Sequence, residues 1–201
     1  MRQIFVIGGM GAGKSTARKA LVEQGLAYID LDKVGHEVLG WDVVKSDLVD
    51  AFGEDILGED GEVVRSRLAQ KAFVSPALTR KLNRITLPRI EDAFTSRLDA
   101  YEAEGHKAVV VENSVYKTRS MSMAYNADVV IAVLAPIETR VARAVQSGWD
   151  ELDVRRRIAQ QITDAERIEE ADVVFNNDGT PDDLRDRVVS WWRDYCAQEG
   201  I

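Results

Sequence analysis

The stretch Ile4-Phe5-Val6-Ile7-Gly8-Gly9-Met10-Gly11-Ala12-Gly13-Lys14-Ser15-Thr16 runs from a short apolar segment into a glycine loop that ends in Lys-Ser-Thr. Gly8, Gly13, Lys14 and Ser15 fit the phosphate-loop pattern G-x-x-x-x-G-K-[ST], in the required context of a strand before and a helix after. Each residue type has a physical task. Glycine accepts positive φ and carries no Cβ, so the backbone can wrap closely round a phosphate chain. Amides of the loop and of the helix N-terminus then direct partial positive charge at the anion. Lys14 has the reach to meet β- and γ-phosphates, and the Ser15 hydroxyl suits Mg²⁺. The loop predicts a bound nucleoside triphosphate, with Gly9, Gly11, Ala12, Gly13, Lys14, Ser15 and Thr16 as its cradle.

Working outward from the loop, further apolar segments read as buried parallel strands: residues 107–112 (KAVVVE), 128–134 (DVVIAVL) and 172–175 (DVVF). A weaker candidate, residues 26–29, runs into Asp30-Leu31-Asp32. Helical periodicity fills the intervals at 15–24, 33–104, 137–170 and 182–198. Strands alternating with helices predict an α/β fold, a parallel sheet of about five strands with right-handed crossovers and helices on both faces. Ligands of such sheets sit at the carboxyl ends of the strands, where Asp30, Asp32, Glu112 and Asn113 fall together with the loop. Residues 33–104 exceed what one crossover helix needs and contain a turn at Gly58-Glu59-Asp60-Gly61, so they are expected to form an inserted helical domain for a second substrate. The expected division is a core of residues 1–32, 105–136 and 171–201, the helical domain 33–104, and a lid region 137–170.

Composition narrows the function classes. The 201 residues are 45% hydrophobic and 30% charged, an ordinary globular balance. A net charge of −8 argues against broad nucleic-acid or anionic-membrane binding, while leaving room for a local cationic cluster that holds an anionic ligand. Cys196 is the single cysteine, which rules out an intramolecular disulfide and a four-cysteine zinc site. The apolar run at the N-terminus is too short for a signal peptide and is broken by the glycine loop; no stretch approaches ~20 apolar residues. A cytoplasmic protein is expected.

Several charged residues have both a chemical and an ordinary reading. Asp30 and Asp32 flank Leu31 and, if strand geometry persists, are expected to point to opposite sides. One carboxylate can accept the proton of an incoming hydroxyl and the other can orient a Mg²⁺-bound water or the acceptor. The ordinary alternative is a cap on a helix that begins near Lys33. Glu112 follows three valines as a metal-orienting acid follows its strand, or simply ends that strand in solvent. Arg140, Arg143, Arg155, Arg156, Arg157 and Arg167 crowd residues 137–170. One of them can neutralise charge on a transferred phosphoryl group, with Gly148 as a hinge, while the rest form i,i+4 pairs with nearby acids. Arg65 and Arg67 can grip a second anionic substrate or make surface salt bridges. His36 reads as a polar helix residue, and Trp191 and Trp192 as part of an amphipathic closing helix.

These residues together resemble the dephospho-coenzyme A kinase family. The resemblance runs over nearly the whole chain, through GGMGAGKST (8–16), YIDLDKVGHEV (28–38), FGEDILGEDGEVVRSRLAQKAF (52–73), LNRITLP (82–88), RRRIAQQ (155–161) and EEADVVFNNDG (169–179). It implies a P-loop kinase fold with a CoA-binding helical domain and a lid. The implied activity is transfer of the γ-phosphoryl of ATP, with Mg²⁺, to the ribose 3′-hydroxyl of dephospho-CoA, the small-molecule acceptor. By matching position, Asp32 is the implied general base, and Lys14 and Ser15 hold phosphates and Mg²⁺. Arg65 lies where the family contacts its CoA-like substrate, and Asn177 lies beside the adenine pocket. Read from the residues themselves, Arg143 is the candidate lid arginine, Asp30 a candidate for the substrate and Glu112 a candidate beside Ser15 on the metal side. The chain departs from the family pattern at three places. Leu87 stands where a histidine usually precedes the proline, Asn113-Ser114-Val115-Tyr116-Lys117 replaces an apolar segment ending in Glu, and Gln146-Ser147-Gly148 replaces Arg-Asp-Gly.

Overall fold

A computed structural model of the chain describes every residue except Val115 and Met121, and the backbone alone of Ser122. It forms two compact units, one of Met1–Asp30 with Leu98–Ile201 and one of Leu31–Arg97. Among the described residues no helix is long and apolar enough to cross a membrane.

The first unit is built on the expected parallel sheet. Its strands are β1 (Arg2–Gly8), β2 (Ala27–Asp30), β3 (Ala108–Glu112), β4 (Val129–Leu134) and β5 (Val173–Asn176), in the order β2-β3-β1-β4-β5. β1 pairs with β3 through Ile4↔Val110 and with β4 through Val6↔Ile131. Residues on both faces of these central strands are buried: Ile4, Phe5, Val6, Val109, Val110, Val130 and Ile131 are all at 0% exposure. That explains why their sequences read as unbroken apolar runs rather than alternating ones. β5 is an edge strand, so Val174 stays 38% exposed, unlike the buried strand expected there.

Two helices complete one side of the core. α1 (Lys14–Glu23) contributes Ala17, Ala20 and Leu21 to a buried cluster with Ile4, Val6 and Val110. A C-terminal helix, Pro181–Glu199, adds Leu184, Val188, Val189 and Trp192 to the same cluster. It is started by a capping box in which the Thr180 hydroxyl accepts from Asp183 N while the Asp183 carboxylate accepts from Thr180 N. Trp191 packs against this core through an edge contact with Phe175.

The second unit holds α2 (Leu31–Leu39), α3 (Asp42–Phe52), α4 (Arg65–Ala72) and most of α5 (Pro76–Ala103). The predicted turn at Gly58–Gly61 is closed by a bridge between Leu57 and Val63, and Gly61 takes a φ of +76°, which glycine tolerates. α5 carries Pro88 in its interior, where the ring removes one helical donor. The remaining helices, all in the first unit, are α6 (Ile137–Gln146), α7 (Glu151–Ala159), α8 (Asp164–Glu170) and, as α9, the C-terminal helix.

One expectation about the acidic pair fails. β2 ends at Asp30 and α2 begins at Leu31, so Asp32 lies in the first turn of a helix rather than on a strand or at a cap. Placing the two side chains on opposite sides was wrong for a strand as well, because residues two apart on a strand share a face.

Candidate active site

The glycine loop is shaped by what stands behind it. Gly11 and Gly13 adopt φ of +74° and +105°, a region that favours glycine. A Cβ on Gly9 would lie 1.9 Å from Arg140 Nη2, one on Gly11 2.3 Å from the Arg140 carbonyl oxygen, and one on Gly13 2.2 Å from Asn177 Nδ2. No side chain fits there.

The same neighbours satisfy the loop carbonyls. Arg140 Nε donates to Met10 O at 3.0 Å, Asn177 Nδ2 to Ala12 O at 2.8 Å, and Lys14 Nζ reaches Gly9 O at 3.4 Å. The Gln161 side-chain oxygen accepts from Met10 N at 3.0 Å, and Ala12 N closes a turn onto Gly9 O at 3.1 Å. Among the described residues, no hydrogen bond engages the amides of Gly11, Gly13 or Ser15. With carbonyls tied back and these donors turned out, the loop is a concave anion site at a helix N-terminus.

A cavity of about 490 Å³ opens in front of it, lined by Met10, Gly11, Gly13, Lys14, Ser15, Thr16, Glu112, Arg143, Gln146, Ser147, Trp149 and Asn177 among others. Of the residues expected at the nucleotide, Gly9 and Ala12 do not line it: Gly9 faces Arg140, and Ala12 is buried with its carbonyl held by Asn177. Arg143 does line it. Its Nη2 donates to Asn177 O at 3.2 Å, while its Nη1 has no partner among the described residues.

The other arginines of this region separate by environment. Arg140 is 2% exposed, and burial lowers its pKa. Arg167 is buried against Asp164; Arg155 pairs with Glu138 and Glu151, and Arg156 with Asp153. Arg157 stacks over the Trp149 ring at 5.0 Å.

At the ends of β2 and β3, Asp30 and Glu112 are register partners. Glu112 lines the cavity and faces Arg18 Nε at 3.5 Å. Its carboxylate and the hydroxyl of Ser15, another lining residue, are hard oxygen donors, the chemistry Mg²⁺ accepts.

The second unit places Asp32 and His36 four residues apart on α2, hence on one helix face. Arg65, the first residue of α4, lies with Nη1 2.9 Å from His36 Nδ1. Arg65 is therefore paired with a histidine that sequence reasoning treated as an ordinary polar residue, one turn along α2 from Asp32. Arg67 is spent on structure, donating to the Leu57 carbonyl at 2.6 Å.

The family model for dephospho-CoA kinase matches residues 3–183. The chain belongs to the dephospho-CoA kinase family. It is 39% identical over 186 residues to a dephospho-CoA kinase of Corynebacterium glutamicum, an alignment covering 92% of each chain. Among solved structures it resembles TT1252 from Thermus thermophilus, with a TM-score of 0.76, 25% identity, and 96% and 97% of the two chains covered. A dephospho-CoA kinase from Campylobacter jejuni shares the fold at a TM-score of 0.64 and 21% identity over 96% of each chain. Membership of this family makes the chain a kinase, a transferase that uses ATP.

Against the family, the departing segment after β3 is anchored rather than loose; Val115 within it lies outside the described residues. Tyr116 is 5% exposed, and its hydroxyl donates to Glu170 at 3.2 Å. Glu170 also accepts from the Thr118 hydroxyl at 2.9 Å and from Arg119 N at 2.6 Å. The Arg119 amide, helped by these hydroxyls, holds the Glu170 carboxyl below the usual carboxylate range. Lys117 and Leu87 are both exposed.

Proposed function

We propose that the chain transfers the γ-phosphoryl group of ATP to the ribose 3′-hydroxyl of dephospho-CoA, giving CoA and ADP. The observation that carries this acceptor is the family match over residues 3–183. The glycine loop, with Gly11, Gly13 and Ser15 amides and Lys14 facing one cavity, supports the ATP side of the reading.

The chemistry needs little covalent participation by the protein. Asp32 accepts the proton of the 3′-hydroxyl, whose oxygen forms a bond to the γ-phosphorus as the bond to the β-γ bridging oxygen breaks and ADP leaves. Lys14 and the loop amides neutralise charge on the β- and γ-oxygens, and Arg143 offers its second guanidinium nitrogen from the opposite wall. Mg²⁺, when bound, would supply further charge neutralisation, and Ser15 and, through a water, Glu112 are the residues that would hold it. Arg65, with His36 beside it, and Asp30 bind the CoA-like substrate. Residues 33–104 as substrate domain, 137–170 as lid and a cytoplasmic location complete the proposal. A lid matters physically because an open site would pass the phosphoryl group to water.

The test is ADP release from purified protein and MgATP, with and without dephospho-CoA, with the product's mass determined. Release that depends on dephospho-CoA, with a product heavier by one phosphate, is the expected result. ATP binding without any dependence on dephospho-CoA would overturn the acceptor.

A further inference from the structure

Beside the nucleotide cavity, the ends of β2 and β3 carry a charge cluster in which two members, Tyr28 and Arg18, have no part in the mechanism above. Tyr28 is two residues before Asp30 on β2, so the two side chains share a face. The Tyr28 hydroxyl lies 3.1 Å from Asp30 Oδ2 and 3.3 Å from Glu112 Oε2. A phenol has one proton to donate, so the two carboxylates share it. The Arg18 guanidinium carbon sits 4.5 Å from the centroid of the Tyr28 ring, and Arg18 Nε is 3.5 Å from the same Glu112 oxygen. The Tyr28 backbone is held too, its carbonyl accepting from the Tyr101 hydroxyl at 3.1 Å.

The arrangement answers an electrostatic problem. Register pairing brings Asp30 and Glu112 together on adjacent strands, and two like charges so placed repel. The repulsion is offset by one shared O–H and one stacked guanidinium. The side chains of Arg18 and Glu112 are only 21% and 16% exposed, so their attraction is screened less than that of a surface pair. Arg18 is one turn beyond Lys14 on α1, the helix that the glycine loop opens. The cluster thus joins the phosphate-binding helix to the two strand ends.

We propose that Tyr28, with Arg18 stacked on its ring, is a positioning residue that fixes the Glu112 carboxylate on the metal side of the nucleotide site while its hydroxyl is shared with Asp30. The proposal rests on the reading of Glu112 as the holder of a metal-bound water. Tyr28 touches no reacting atom; it acts through the acids it holds.

The test compares Tyr28→Phe with Glu112→Gln by electron paramagnetic resonance titration of Mn²⁺ into the protein–ADP complex, alongside calorimetric ADP affinity without metal and thermal melting. Tyr28→Phe keeps the ring and its stacked cation while removing the shared hydroxyl. Its Mn²⁺ affinity is expected to fall about 3- to 10-fold, the range of one net hydrogen bond, with metal-free ADP affinity within about twofold of the parent. Glu112→Gln is expected to lose at least as much. If Glu112→Gln weakens Mn²⁺ and Tyr28→Phe does not, the positioning role is overturned and the Glu112 reading stands. If neither does, the Glu112 reading fails and takes the proposal with it. Should Tyr28→Phe melt early, Arg18→Gln examines the cluster from α1. It must show the same loss of Mn²⁺ affinity, and intact affinity there overturns the proposal.

Discussion

Substituting Gly13 with alanine isolates the geometry that makes the glycine loop work. At φ +105° a non-glycine residue is strained, at a cost of about 1–3 kcal/mol. The new Cβ would also meet Asn177 Nδ2 at 2.2 Å, with Leu184 Cδ2 behind it at 3.4 Å. Asn177 is 4% exposed and cannot swing into solvent, so it must give up its bond to Ala12 O. Losing that bond adds about 1–3 kcal/mol, because the carbonyl is left without its donor. The sum, about 2–6 kcal/mol, is within what a folded domain of this size survives, but it falls on the loop that holds the phosphates. ATP affinity should drop by at least ~30-fold, since each 1.4 kcal/mol is a factor of ten. Pairing the change with Asn177→Ala separates the two terms. The double variant has the φ strain and the missing bond but no clash, so it should be less impaired than the sum of the single variants. Calorimetric ATP affinity and urea denaturation of all four proteins read the cycle. Strict additivity, or a Gly13→Ala protein that binds ATP like the parent, would refute the claim that Asn177 is what Gly13 makes room for.

Other outcomes follow from the same geometry. Asp32→Asn should leave ATP affinity near the parent value and reduce turnover by ~10²–10⁴, the range for losing a general base; steady-state kinetics with dephospho-CoA check it. Glu170→Gln should cost about 1–2 kcal/mol at neutral pH through weakened bonds to Arg119 N, Thr118 and Tyr116. Because the folded pKa of Glu170 is depressed, its contribution is present above the ordinary carboxylate value and lost as pH falls through the folded one. The difference between parent and variant in urea denaturation should therefore shrink below about pH 4, where the unfolded carboxyl titrates. Leu184→Ala, at a side chain with 0% exposure between α1 and the sheet, should cost about 2–5 kcal/mol in the same assay.

How far this arrangement could be read from residues alone depended on the range of the interactions. β1, the glycine loop and α1 are contiguous, and their chemistry is local, so glycine positions, Lys14 and Ser15 were legible together. The central strands were legible because burial on both faces removes polar residues from them. The start of α2 was not: the pattern around Leu31 suits a strand end or a helix start, and tertiary packing decides. Nor was the support of the loop. Arg140 reaches Met10 from 130 residues away and Asn177 reaches Ala12 from 165, and neither spacing leaves a periodic trace. Trp149 escaped for a related reason, since an exposed tryptophan in a polar stretch carries no motif. Only the fold shows that it lines the nucleotide cavity.

The replacement of Arg-Asp-Gly by Gln146-Ser147-Gly148 acquires a physical account from these contacts. The Ser147 hydroxyl donates to the Arg143 carbonyl at 2.9 Å, and the Ser147 amide donates to the same oxygen at 3.2 Å. Ser147 therefore closes the last turn of α6 on the residue whose guanidinium faces the nucleotide cavity. Gly148 follows at φ +92° with open space round its Cβ position, so the chain reverses without crowding and enters α7. Arg143 is fixed at its backbone by Ser147 and at its head by the Asn177 carbonyl, which itself belongs to the residue bracing the glycine loop. A cation set this way lines the nucleotide cavity from α6. Positions 146 and 147 line the same cavity, so an arginine there would add a second cation to it. Positive charge at this wall is thus pre-organised in α6, and the substitution of the later arginine removes a second cation rather than the only one.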